Sequence, residues 1–257
     1  MKVDCIVTAV NDNPMYTEFI PVFIKAWKKL VPEAAILLLY IGDFIPEEFA
    51  EYREHIRLVE PIEGVDTAFM SQYIRILYPA TLPYKGGVLI TDMDILPMNR
   101  AYYVDTVRDI PDDRFVYYRD VLLADYRQIA ICYNIATPSV WKEIMRVSSH
   151  AEVLTELQRI GKGIRYNPKT LEGWTTDQVQ LFGKVMAWNT RTRRFVVMRD
   201  SATQFLRLDR ADILTKNRED VLRNVAAGKY TDYHCLRPHS WHSELNCAIV
   251  DALPSTL

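Results

Sequence analysis

Apolar positions in the first hundred residues alternate between short unbroken runs and helical spacings. Val3 to Val10 is a mostly apolar run that stops at Asn11, Asp12, Asn13 and Pro14. That is the pattern of a buried strand breaking into a turn. From Met15 to Val31, the residues Tyr16, Phe19, Ile20, Phe23, Trp27, Leu30 and Val31 recur at helical spacing, which predicts an amphipathic helix. Ile36 to Ile41 predicts a second buried strand, closed by Gly42 and Asp43. Pro46 stands where a helix favours proline in its first turn, so a helix is predicted to about Arg57, with a short strand over Leu58 to Ile62. A third helix is predicted from Thr67 to Tyr78, stopped by Pro79. Val88 to Thr91 then reads as a strand breaking into Asp92, Met93 and Asp94.

This β-α-β-α-β-α-β order predicts an α/β fold with a mostly parallel central sheet flanked by helices. In such sheets ligands gather at the carboxyl ends of the strands. The polar clusters Asn11 to Asn13 and Asp92 to Asp94 both fall there. The second half is less periodic. Strands are predicted over Phe115 to Arg119 and Ile129 to Ile135, and helices over Ser139 to Met145, Ala151 to Ile160, Thr176 to Trp188 and Arg218 to Ala227.

Length and composition narrow this picture. The 257 residues suit one large α/β domain, and no Gly/Ser linker divides them. A formal net charge of -2 with 25% charged residues provides no basic field for nucleic acid. The four cysteines form no CxxC pair, as expected of core thiols in a reducing compartment. The longest apolar run, Ala34 to Ile41, is far short of a transmembrane segment, and Asp4 interrupts the N-terminal run. A cytoplasmic protein is expected.

The chemistry starts with Asp92 and Asp94. One residue apart at a strand end, two carboxylates can approach one cation, and their oxygens suit Mg²⁺ or Mn²⁺. Such an ion would offset charge on a departing diphosphate. A solvated acidic turn is the plainer alternative. The segment SQYIRILYPATLPYKGGVLITDMDILP, Ser71 to Pro97, resembles the family 8 glycosyltransferases, the glycogenin and bacterial galactosyltransferase group with a GT-A fold. The resemblance implies that Asp92 and Asp94 hold Mn²⁺, with Asp92 also near the donor, and that Arg75 contacts the donor. It implies a single domain over 1–257, with a nucleotide-binding half (1–100) and an acceptor-side half (101–257). Taken from the residues alone, Arg75 can also be a surface cation of its helix.

Other segments extend the likeness. IVTAVNDNPMY, Ile6 to Tyr16, is similar to the family's first strand and nucleotide loop. This implies base and ribose contacts from Thr8, Ala9, Asn11 and Asn13 and a UDP-sugar as donor. Asn11 stands where the family usually has Asp, and an amide both donates and accepts. A plain Asn-rich turn is the alternative. YHCLRPHSWH, Tyr233 to His242, resembles the family's C-terminal metal and diphosphate motif, which implies that His234 completes the metal shell. Leu236 replaces the motif's Gly and its Lys is missing, so Arg237 or His239 would bring the positive charge. A zinc site from His234, Cys235, His239 and His242 is a rival reading, although the spacing fits no common pattern.

TTDQVQLFGKV, Thr175 to Val185, matches the family's Asp-Gln pair near the donor sugar in Asp177 and Gln178. Thr175 and Gln178 also have capping-box spacing. Asp120 and Asn134 stand where relatives place an acid and an Asn near the sugar.

The resemblance therefore implies a metal-dependent glycosyltransferase acting on a carbohydrate acceptor. It implies retention, with Gln178 stabilising positive charge on the sugar. Alternatively Asp177 or Asp120 deprotonates the acceptor and the outcome is inversion. Two rivals are a sugar nucleotidyltransferase and a non-catalytic carbohydrate binder. The first needs a Gly-rich loop, and Thr8 to Pro14 contains no Gly. The second is motivated by the broken C-terminal motif.

Overall fold

In a computed structural model, residues 1–167 and 169–254 are described. The first half follows the periodic pattern closely. Strands β1 (Val3–Asn11), β2 (Ala35–Ile41), β3 (Ile56–Val59) and β4 (Gly87–Ile90) lie parallel in the order β3-β2-β1-β4. The four residues of β4 are all buried, and so are most of β1, which explains their unbroken apolar runs. Gly87 is required by close packing, because a Cβ there would lie 2.6 Å from Ile135 Cδ1.

The helices differ from expectation where proline or polarity intervenes. The helix predicted from Met15 splits into a short turn, Pro14–Thr17, and helix α1 (Ile20–Leu30). Pro21 has no N–H to bond back to Thr17, so the helix restarts there. Pro46 caps rather than enters the next segment, and Glu47–His55 is a 3₁₀ helix. Phe49 is its one buried residue, too narrow an apolar face to hold an α-helix against the sheet. The following strand begins at Ile56 and ends at Val59, ahead of the predicted Leu58–Ile62, since Pro61 cannot donate to a ladder. Helix α2 (Thr67–Leu77) matches its predicted span, capped by the Asp66 carboxylate, which accepts from Ala68 N at 2.8 Å.

Beyond β4 the sheet continues through β7 (Asn134–Ala136), β6 (Phe115–Tyr117) and β8 (Phe195–Val197). Strand β7 runs antiparallel to both its neighbours, and β8 is parallel to β6. The strand predicted over Ile129 to Ile135 therefore shrinks. Ile131–Tyr133 is a 3₁₀ turn, where the Asn134 amide donates to Ala130 O and Ile131 O and competes with the ladder. Helices α3 (Pro138–Met145), α4 (His150–Gly161), α5 (Thr176–Thr192) and α6 (Arg218–Ala226) stand close to where periodicity places them. The Thr175 capping box does not form, as Thr175 makes no side-chain cap.

A second sheet escapes the periodic reading. It joins β5 (Ile95–Pro97), β10 (Tyr230–His234) and β9 (Leu206–Leu208) in the order β5-β10-β9, with β5 antiparallel and β9 parallel to β10. Helix α7 (His239–Asp251) closes the described chain and contacts α1. Its apolar positions are irregular and its backbone kinks at His242, so its sequence shows no clean period. Buried apolar side chains form a continuous core from Met1 to Leu253. No helix among the described residues is long and apolar enough to cross a membrane.

Candidate active site

The site grows from the end of β4. Thr91 N still donates to Val7 O of β1 at 3.0 Å, and the chain then leaves the main sheet to enter β5 three residues after Asp92. Met93 is buried and anchors this turn in the core. Pairing of Ile95 with His234, and of Cys235 N with Asp94 O at 2.9 Å, brings the end of β10 beside Asp94. The small sheet thus delivers His234 to the carboxyl edge of the large one.

Two linked ion clusters result. In the first, Arg75, buried in the last turn of α2, donates to Asp92 Oδ1 and to Thr91 O, the latter at 3.3 Å. Its other guanidinium nitrogen lies 3.7 Å from Asp177 Oδ2. Asp177 stands in the first turn of α5, only 4% exposed, and accepts from Gln178 N at 2.8 Å. Burial pushes its carboxyl up to about 7, with Arg75 pulling down and the Asp92 charge pushing up further. Arg75 is therefore a buried member of the site, and the surface-cation alternative does not apply.

In the second cluster, three basic side chains meet Asp94 Oδ2. Arg210 Nη2 lies at 3.0 Å, Arg237 Nε at 3.5 Å and His234 Nε2 at 3.5 Å. Arg210 also touches the His234 ring, whose Nδ1 faces Asp209 Oδ2 at 3.3 Å. Asp94 is buried, which raises its carboxyl pKa. Hydrogen bonding from His234 and the charges of His234, Arg237 and Arg210 outweigh this and hold it below the usual carboxylate range. Arg237 donates to Tyr16 Oη at 2.6 Å and stands over the Tyr16 ring, 5.3 Å from its centroid.

The remaining candidates divide. Thr8 and Ala9 are buried in β1, and the Thr8 hydroxyl has no partner. Asn11, at the end of β1, donates to Thr67 Oγ1 of α2 at 3.2 Å. Asn13 caps the first short turn, accepting from Met15 N at 3.1 Å. Asn134 is paired with Ile90 at the end of β4, and its buried Oδ1 has no partner. Gln178 is half-buried beside Asp177. Asp120 is not drawn into these clusters; it is exposed and accepts from Asp200 N at 3.1 Å. The zinc set does not assemble either: His239 Nδ1 meets Asn246 and its ring packs on Phe19, while Cys235 is fully buried.

Arg210, Asp209 and Tyr16 escaped the sequence reading. Their signal is faint: Asp209 caps the short turn Arg210–Ile213, accepting from Ala211 N at 3.2 Å, which makes the pair read as an ordinary helix start. A groove of about 670 Å³ is lined by Asp12, Tyr40, Phe44, Phe49, His239 and Ser240. The aspartate pair does not line it.

A divalent ion at Asp92, Asp94 and His234 would need their donor atoms turned to one point. Asp92 instead faces Arg75, and the Asp94 oxygen nearest His234 is already met by two guanidinium groups. Among the described residues, no group of three His, Cys, Asp or Glu side chains is placed to hold a metal ion. The side-chain arrangement does not fit that centre.

No family model matches the chain, and no curated protein matches it. Solved structures do. One is the galactosyltransferase LgtC in complex with donor and acceptor sugar analogs, 13% identical, with a TM-score of 0.50 over 98% of this chain and 97% of that one. Another is the glycosyltransferase GlyE of Streptococcus pneumoniae TIGR4, 12% identical, with a TM-score of 0.52 over 98% of this chain and 63% of that one. At such identity the likeness speaks for architecture. Together with the sheet order, it shows that the chain has the GT-A fold of these glycosyltransferases.

Proposed function

We propose that the protein is a glycosyltransferase that moves a sugar from a nucleotide-diphosphate donor, a UDP-sugar, to a carbohydrate acceptor. One observation carries this reading: at the carboxyl edge of a GT-A sheet, buried Asp94 gathers Arg210, Arg237 and His234 within 3.5 Å. Preorganised positive charge beside an open strand end suits a leaving diphosphate. Guanidinium groups match phosphate oxygens in planar, bidentate fashion. Thr8, Ala9, Asn11 and Asn13, at the end of β1, receive the nucleoside in this reading.

The reaction breaks the bond from the sugar carbon to the diphosphate and forms one to an acceptor hydroxyl, whose proton leaves with the diphosphate oxygen. We assign retention of configuration. Asp177 is buried and tied to Arg75, and Asp120 is engaged with the Asp200 backbone, which leaves neither well set to deprotonate an acceptor. Gln178 stands next to Asp177, where its amide dipole can face the positive charge on the sugar.

The test is a screen of UDP-sugars with saccharide acceptors, following UDP release and product stereochemistry. Asp94→Ala should slow transfer about a thousandfold, because it removes the anion that aligns three basic groups. Turnover of no nucleotide sugar by the folded wild type, or wild-type rates in Asp94→Ala, would overturn the proposal.

A further inference from the structure

We infer that Arg210 and Arg237 supply the donor diphosphate with the positive charge expected of a divalent ion, so that nucleotide binding requires no metal. The inference rests on the transferase reading and deepens it. The expected ion would sit among Asp92, Asp94 and His234, and side-chain cations stand there instead. Arg210 Nη2 approaches Asp94 Oδ2 at 3.0 Å and also touches the His234 ring. Arg237 Nε approaches the same oxygen at 3.5 Å. A divalent ion at that oxygen would lie against two guanidinium groups of like charge.

Two further features favour a bound anion. Arg210 Nε is buried without an acceptor, a donor that an incoming oxygen would satisfy. Arg237 is held in a fixed plane by the Tyr16 hydroxyl and ring, while its side chain keeps 27% exposure, open to a ligand. Asp94 is the anchor that orients the guanidiniums, and the guanidiniums touch the phosphates.

The experiment measures binding of UDP, and of GDP, ADP, CDP and TDP, to the full chain by calorimetry, once in EDTA and once with Mn²⁺. The inference expects wild-type affinity for the best nucleotide to change by less than about threefold between the two conditions. It expects Arg210→Ala to weaken that affinity about tenfold or more in both, with Arg210→Lys in between. Binding that needs Mn²⁺ and vanishes in EDTA overturns this inference and leaves the transferase reading standing. That comparison uses only the wild type, so it holds even if a variant folds poorly. Binding of none of the five nucleotides under either condition overturns the transferase reading and this inference with it.

Discussion

The four parallel strands β1 to β4 and the small sheet β5-β10-β9 are held together by opposite means. The first region is packed almost entirely from aliphatic side chains: Ile6, Val7, Leu38, Leu39, Leu89 and Ile90 are all fully buried. The second encloses charge. Asp232 in β10 is fully buried and receives Arg207 Nη2 at 2.7 Å, Thr231 Oγ1 at 2.7 Å and Tyr133 Oη at 3.1 Å. Nonspecific burial stabilises the first region, and small losses there are tolerated. The second depends on complete satisfaction of a polar network, which is costly to leave half-made. The two meet at Asp92 to Asp94, where the proposed site is built.

Removing one charge from the small sheet should have the largest effect. Asp232→Asn should cost about 3 kcal/mol or more, because it leaves Arg207 facing a buried site without its counter-ion. Ile6→Val, at an equally buried position of β1, should cost only about 1 kcal/mol. Urea unfolding of the two variants against wild type measures both. Equal costs would show that the polar network carries no special weight. Asp232→Asn should also slow transfer, since β10 carries His234, whereas Ile6→Val should leave the rate unchanged.

What the chain reveals before folding follows the same division. The strands and helices of the first hundred residues announce themselves through apolar period, because each buries a continuous face. The carboxylates at 92 and 94 follow from their place at a strand end, whereas Arg75 is indicated by the resemblance to family 8 and not by local pattern. By contrast, β10 reads Tyr-Thr-Asp-Tyr-His, and its buried position becomes sensible only when Arg207, 25 residues away, is known to reach Asp232. Arg210 is hidden for the same reason. Its meaning lies in a contact with Asp94 across 116 residues, which no local pattern encodes. Asp120 is indicated by the resemblance alone; in the fold it is exposed, lies apart from the two ion clusters and accepts from Asp200 N at 3.1 Å.

A second test concerns the buried carboxylate that belongs to neither kind of packing. Asp177 has its carboxyl raised to about 7 by burial, against 3.8 for the unburied group. Between these values the native state holds a proton that the unfolded chain has released. Stability from this group is therefore complete below about pH 4 and lost as pH rises through 7. Asp177→Asn stays neutral throughout. The stability difference between variant and wild type should move in the variant's favour between about pH 4 and pH 8, by on the order of a few kcal/mol. Thermal melts across that range, taken as a difference curve, isolate this group from other titrations. A flat difference would mean that Arg75 holds Asp177 ionised despite its burial.

The smallest effect separates two roles placed on one side chain in the aliphatic half. Asn13 caps the Pro14–Thr17 turn through its carbonyl oxygen, and the proposed nucleoside contact would use its amide group. Serine keeps an oxygen acceptor but has no amide, while alanine has neither. Asn13→Ala should therefore lose about 1 kcal/mol of stability or less, and Asn13→Ser almost none. Nucleotide affinity should fall a few-fold in both variants if the amide touches the nucleoside. Unfolding midpoints together with UDP titrations resolve the two. A serine variant that binds as tightly as wild type would reduce Asn13 to a cap, and the nucleoside contact would then rest on Asn11, whose amide is already held by Thr67.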